Sequence, residues 1–110
     1  MSRQKYNARR TLYDGIWFAS KREAARYAEL NLLERAGEIS DLKLQPSFEL
    51  QPAFVHNGKR ERAIRYVADF EYIEKGVRIV EDVKGVGTPV FKLKRKMMLF
   101  VHGIEIRVTK

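Results

Sequence analysis

Apolar and polar positions change period several times along the chain. Thr11-Leu12-Tyr13 and Ile16-Trp17-Phe18 flank Asp14-Gly15, a two-residue hairpin signal, so a small ribbon opens the fold. Ser20-Lys21-Arg22-Glu23 then has capping-box spacing, and Ala24, Ala25, Ala28, Leu32 and Ala36 follow as the apolar stripe of a helix that Gly37 ends. Leu42-Lys43-Leu44-Gln45 and Phe48-Glu49-Leu50 alternate as a half-buried strand does, with Pro46 marking an edge or bulge and Pro52 limiting its length. Asn57-Gly58, inside the polar run from His56 to Arg62, predicts an exposed turn into a strand from Ile64 to Tyr72. Beyond a turn at Glu74-Lys75-Gly76, Val77 to Lys84 is apolar enough for a place inside a sheet. Gly85, Gly87 and Pro89 break the chain before a second helix, Val90 to Val101. Its expected buried stripe is Val90, Leu93, Met97 and Val101, and its outer face is basic. Gly103 ends that helix, and Ile104-Glu105-Ile106-Arg107-Val108 alternates as a final strand.

This order predicts a single mixed α/β domain over residues 1–110, with residues 1–10, which include Lys5, Arg9 and Arg10, as a basic arm. A chain of 110 residues, 45% hydrophobic, suffices for one modest core, in which Trp17, Phe18, Tyr66 and Phe70 are expected. The net charge of +8 favours polyanionic partners, nucleic acid first, although a basic soluble protein of any other kind fits the charge equally well. Without cysteine there is no disulfide, zinc-thiolate site or thiol nucleophile, and His56 and His102 are too far apart in sequence for a histidine-based metal site. No apolar run reaches the roughly 20 residues of a membrane helix. A cytoplasmic protein with no membrane partner is the expectation.

The residues that carry chemistry are Tyr66-Val67-Ala68-Asp69-Phe70 and Ile79-Val80-Glu81-Asp82-Val83-Lys84-Gly85. In an extended strand successive side chains alternate, so Asp82 and Lys84 share one face while Glu81 and Val83 share the other. Hairpin register decides whether Asp69 joins them. A two-residue turn at Lys75-Gly76, or a four-residue loop from Glu74 to Val77, sets Asp69 opposite Asp82, whereas a three-residue loop with a glycine bulge sets it opposite Glu81. Two facing carboxylates repel unless a cation holds them, and beside a lysine they suit Mg²⁺ near a phosphate. The competing reading is a polar strand residue at Asp69 and an ordinary same-face ion pair between Asp82 and Lys84. Glu23 has two roles open to it, a carboxylate contributed from the first helix or the returning half of the capping box. Gln45 is either directed at the site or a surface amide.

A helix glutamate, an aspartate at a strand end and then acid-x-lysine on the next strand resembles the PD-(D/E)xK nuclease superfamily. In closer detail, Phe18-Ala19-Ser20-Lys21-Arg22-Glu23, Gln45-Pro46, Tyr66-Val67-Ala68-Asp69-Phe70 and Asp82-Val83-Lys84-Gly85 resemble a family of short phage and prophage proteins of unknown function, placed in that superfamily near junction-resolving and transposon-end nucleases. The resemblance covers nearly the whole chain. It implies a restriction-endonuclease-like fold, a mixed β-sheet flanked by α-helices. It also implies that Asp69, Asp82 and Glu23 bind Mg²⁺ or Mn²⁺, and that Lys84 orients the attacking water or stabilises charge on the scissile phosphate. Ala68 stands where the superfamily name has proline, and the acid of the triplet is aspartate, so the metal geometry is less determined than the assignment.

The expected function is therefore a metal-dependent endodeoxyribonuclease acting on structured or branched DNA in a bacterial host cell. Arg9, Arg10, Lys21, Arg22, Lys92, Lys94, Arg95 and Lys96 would track flanking phosphates. Cutting two strands calls for a homodimer. The rivals are a non-catalytic nucleic-acid-binding protein and an accessory subunit needing a phage recombination or packaging partner.

Overall fold

The computed structural model describes residues 9–84 and 87–110. Most of the expected basic arm and the break at Gly85 lie outside the described residues. The elements are β1 (Thr11–Tyr13), β2 (Ile16–Phe18), α1 (Lys21–Arg35), β3 (Ile39–Leu44), β4 (Ser47–Gln51), β5 (Phe54–His56), β6 (Lys59–Glu61), β7 (Ile64–Val67), β8 (Phe70–Glu74), β9 (Val77–Val83), α2 (Pro89–His102) and β10 (Arg107–Thr109). The content is mixed α/β, as expected.

Residues 39–74 make one long antiparallel ladder folded about Asn57-Gly58. β5 pairs with β6, β4 with β7 and β3 with β8. The breaks between strands fall at prolines, Pro46 between β3 and β4 and Pro52 between β4 and β5, because proline brings no N–H to a ladder, and bulges between Ser40 and Lys43 and between Glu49 and Gln51 shift the register further. The expected strand from Ile64 to Tyr72 is therefore two strands, β7 and β8, hinged at Ala68-Asp69 across from Gln45-Pro46. The hinge stays bridged, since the Gln45 amide donates to the Asp69 carbonyl and the Ala68 amide to the Pro46 carbonyl, both at 3.0 Å.

β8 turns into β9 through Lys75-Gly76, whose φ angles of 51° and 77° are those of a two-residue primed turn. β9 is interior to a four-stranded sheet of order β10-β9-β8-β3, which bears out its apolar reading. β10 lies parallel to β9 and starts later than the alternation suggests, at Arg107.

Each face of this sheet has its own core. On one side Phe18, Ala24, Leu30, Ile39, Phe70 and Tyr72 pack beneath α1, and on the other Phe48, Tyr66, Ala68, Val80, Phe91 and Met98 lie in the cluster that α2 covers. Both helices sit rotated from the expected stripes. In α1 the inward residues include Ala24, Tyr27 and Leu30, while Ala25, Leu32 and Ala36 are exposed. The inward face is partly polar, with Arg26 bonded to Glu81 and Glu34 accepting from the Leu42 amide, so hydrophobic periodicity does not mark it. In α2 Phe91 and Met98 are buried and Met97 is partly so, whereas Val90, Leu93 and Val101 are exposed. Lys94 and His102 help hold that orientation through the backbone carbonyls of Arg65 and Glu49. The outer face of α2 is thus apolar as well as basic, with Phe100 90% exposed.

Candidate functional site

The primed turn selects between the registers. Phe70 lies opposite Glu81, as the two-residue turn requires, but the ladder ends there, and Asp69 meets Asp82 side chain to side chain at the hinge rather than as the next ladder pair. The Asp69 amide still donates to the Glu81 carbonyl at 3.1 Å, while its carboxylate Oδ2 accepts from the Val83 amide at 2.7 Å. Asp69 thereby takes over the ladder where β8 has hinged away. Asp82, nearly fully buried, accepts a hydrogen bond from the Tyr66 hydroxyl. Lys84 follows on the same face, its Nζ 4.0 Å from the Asp82 carboxylate and 5.0 Å from the centre of the Phe91 ring.

Glu23 reaches this group from the first turn of α1. Ser20 caps the helix by accepting from the Glu23 amide at 3.1 Å, which is one half of the expected capping box. The Glu23 carboxyl lies within electrostatic reach of both Asp82 and Lys84. Its placement depends on Arg26, one turn along the same helix face. Arg26 makes a two-pronged pair with the fully buried Glu81, at 2.6 and 3.0 Å, and Tyr72 donates to the same carboxylate at 2.5 Å. Glu81 thus anchors α1 to β9 from the face opposite Asp82, and every buried side-chain polar atom among the described residues has a partner.

The electrostatics mark the acids as a strained group. Burial, then hydrogen bonding and repulsion from Asp82, push the Asp69 carboxyl up to about 8. Burial and Asp82 also raise Glu23, with Lys84 opposing them. Tyr66 is raised by burial and by its bond to Asp82. Glu81 goes the other way: burial alone would raise it, but the hydrogen bonds from Arg26 and Tyr72 hold it below the usual carboxylate value.

Asp69 and Glu23 open onto a cleft of about 100 Å³, whose walls also include Gln45, Trp17, Phe18 and Phe70. Gln45 therefore lies at the site, held in a left-handed conformation at φ 51° by the hinge. Trp17, expected in the core, is 56% exposed on the cleft wall, with the Arg10 guanidinium 4.7 Å from its ring centre. Strand alternation accounts for this, since Phe18 takes the inward position of β2.

Three acids do not converge on one point among the described residues. Asp69 and Asp82 form a close pair and Glu23 stands within electrostatic reach. This donor set fits a hard divalent ion: it offers carboxylate oxygens only, and a cation would replace the proton that the crowded pair retains.

Of the expected phosphate contacts, Arg10 reaches the cleft through Trp17, and Arg95 reaches the Lys84 side through Phe91 at 5.8 Å. Arg9, Lys21, Arg22, Lys92 and Lys96 are exposed, whereas Lys94 is half-buried and bound to the Arg65 carbonyl at 2.8 Å. Tyr66 and the exposed basic residues Lys59, Arg60 and Arg62 on and beside the β5–β6 ribbon escaped the sequence reading. The polar run from His56 to Arg62 was the signal for the latter, and nothing in the sequence marked Tyr66 as the partner of Asp82. Among the described residues no helix is long and apolar enough to cross a membrane.

The family described as "Protein of unknown function (DUF1064)" matches residues 3–109, and the chain belongs to that family. No curated protein and no solved structure matches the chain.

Proposed function

We propose that this protein is a metal-dependent endodeoxyribonuclease of restriction-endonuclease-like fold that acts on structured or branched DNA. The observation that carries the reading is the side-chain contact of Asp69 with Asp82 where β8 meets its hinge, with Lys84 two residues beyond Asp82 on the same face and Glu23 adjoining from α1. Those groups stand in the order that the PD-(D/E)xK resemblance implies, at the end of an interior strand with a helix on each side of the sheet.

Asp69 and Asp82, assisted by Glu23, would hold Mg²⁺ or Mn²⁺, which when bound neutralises phosphate charge and lowers the pKa of a water. Lys84, at 38% side-chain exposure, presents its ammonium from the buried pair towards solvent and so towards a phosphate oxygen or the water. The proton that the water loses passes to bulk water at the mouth of the cleft. Water oxygen joins phosphorus, the bond from phosphorus to the leaving sugar oxygen breaks, and that oxygen takes up a proton. Tyr66 keeps the Asp82 carboxylate oriented.

Cutting both strands of a duplex or junction would take two copies of this site, and the exposed Leu93 and Phe100 on α2 supply an apolar surface for a second chain. By resemblance the setting is phage recombination or packaging in a bacterial host. The test is cleavage of labelled four-way junction, flap, duplex and single-stranded DNA with Mg²⁺ or Mn²⁺, by the parent and by Asp82→Ala. Metal-dependent cutting lost in the variant is expected, and sedimentation on a cleavable junction should show a dimer. Binding without cutting by either protein would replace this reading with that of a non-catalytic DNA-binding or accessory protein.

A further inference from the structure

Among the described residues Trp17 belongs to neither hydrophobic core. The β1–β2 ribbon turns Phe18 inward, where its ring lies 5.1 Å from Tyr27 of α1, and Tyr13 packs on Tyr27 from 6.0 Å. The opposite ribbon face carries the cross-strand pair Leu12 and Trp17, 55% and 56% exposed. An indole that large, left half in water, forgoes much of the 1.5–3 kcal/mol that burying a large apolar side chain typically gains. It stands on the wall of the cleft that also holds Asp69 and Glu23. Arg10 lies over its ring, and Lys21 and Arg22 are exposed a few residues away. Aromatic surface, flanking cations and an adjoining acid site are together the elements of single-strand recognition, in which bases stack on rings while basic groups follow the backbone.

We propose that Trp17 is a stacking platform for an unpaired nucleobase beside the phosphodiester to be cut, which makes DNA with unpaired bases at the cleft the substrate class. This rests on the nuclease reading of the same site. A base inside a duplex shows its faces only to its neighbours, so a wall-mounted indole can stack on a base that is single-stranded, flapped or splayed at a branch, and not on the side of intact duplex. The cleft, at about 100 Å³, falls well short of the 300–1,000 Å³ of an enclosing ligand pocket, so the base rests against its wall rather than inside it.

Trp17 is the only tryptophan of the chain, so its fluorescence reports this position alone. The full chain is titrated in EDTA with unlabelled oligo(dT), a flap and a blunt duplex. Anisotropy of the same DNAs carrying fluorescein reports binding independently. Expected is quenching by oligo(dT) and flap but not by bound duplex. Trp17→Ala should weaken flap and oligo(dT) binding by about 5- to 150-fold, the worth of one stacked base, and duplex binding by less than about two-fold. Trp17→Phe, which keeps a ring, should recover most of the loss. Binding by anisotropy with unchanged emission, or equal loss for flap and duplex in Trp17→Ala, would overturn the stacking role while leaving the nuclease reading intact. Absence of binding to any DNA would overturn both.

Discussion

Asp82→Asn is expected to stabilise the metal-free protein while abolishing cleavage. Without a cation the Asp69 carboxyl is pushed up to about 8 from 3.8, first by burial and then by Asp82. Between those two values the folded chain keeps a proton that the unfolded chain has released. Stability therefore falls as pH rises through this window, by at most about 1.4 kcal/mol per pH unit, is unaffected below it, and has lost the full amount above it. Because burial is the larger cause and Asp69 is not fully buried, removing the Asp82 charge recovers only part of the loss, about 1–2 kcal/mol at pH 8. For a domain of this size that raises Tm by roughly 4–8 °C. Asparagine keeps an oxygen for the Tyr66 hydroxyl, so the substitution changes charge more than shape.

Thermal unfolding of parent and variant at pH 5 and pH 8, each in EDTA and in Mg²⁺, separates the possibilities. In EDTA the variant should melt above the parent at pH 8, with the gap narrowing at pH 5. Mg²⁺ should raise the parent and leave the variant little changed, since an ion at 100 times its Kd adds about 2.7 kcal/mol to the form that binds it. A variant that melts below the parent in EDTA at pH 8, or one that gains as much from Mg²⁺, would refute the idea that the two carboxylates form a cation site.

Arg26→Ala leaves the Glu81 charge buried and alone, so urea unfolding should show a loss of about 3–5 kcal/mol. Glu81 is held below its ordinary value of 4.5, so the stability it contributes through Arg26 is present above that value and is lost as pH falls through its lowered folded pKa; acid titration of the parent should show that loss and the variant should not. Lys84→Met should lower single-turnover cleavage by about 10²-fold or more with DNA affinity changed little, whereas a comparable loss of affinity would make Lys84 a phosphate clamp only. Neutralising Lys59, Arg60 and Arg62 together should weaken binding to all DNA sequences alike and reduce the slope of log K against log salt by about 2–3, measured by anisotropy between low and physiological salt. An unchanged slope would place the ribbon away from DNA.

The site was more legible in the sequence than the packing around it. A strand alternates regardless of its neighbours, so the common face of Asp82 and Lys84 follows from the order of residues alone. The approach of Asp69 needed the turn, for which Lys75-Gly76 supports φ values of 51° and 77°, and also the hinge at Ala68-Asp69, which the sequence did not mark. Helix orientation was harder to read because it depends on the partner. Alanines at 24, 25, 28 and 36 bury too little to define a face, and α1 turns instead so that Arg26 reaches Glu81, a pairing 55 residues apart that no local pattern signals. In α2 apolar residues occur around much of the circumference, so one stripe was as plausible as the next until Lys94 and His102 found backbone carbonyls. Trp17 was misassigned for a related reason: an aromatic in a short strand predicts burial, while the pairing of Leu12 with Trp17 on the outer ribbon face is a tertiary outcome.

The two central aspartates differ in what they do for the fold, and that difference decides which of them can test the function. Asp69 Oδ2 is the acceptor for the Val83 amide at 2.7 Å, standing in for the backbone carbonyl that left when the ladder hinged at Ala68-Asp69. Removing it orphans a part-buried N–H at the strand that carries Asp82 and Lys84, a cost of about 1–3 kcal/mol, so a loss of activity in Asp69→Ala would not distinguish a ligand from a strand brace. Asp82 holds no backbone group by its side chain among the described hydrogen bonds; its partners are the Tyr66 hydroxyl and, at 4.0 Å, Lys84. A fold that needs Asp69 for its ladder and would gain stability if Asp82 lost its charge would keep that second carboxylate at a cost, which the proposed cation would offset. The informative comparison is therefore Asp69→Asn with Asp82→Asn. If both aspartates bind the ion, both variants lose the Mg²⁺-dependent rise in Tm, and because asparagine keeps an oxygen for the Val83 amide, Asp69→Asn should match the parent in EDTA at pH 5, where Asp69→Ala should not. If Asp82→Asn alone kept the Mg²⁺ response, the ion would have to sit with Asp69 and Glu23 at the cleft wall, and the role assigned to Asp82 would fall.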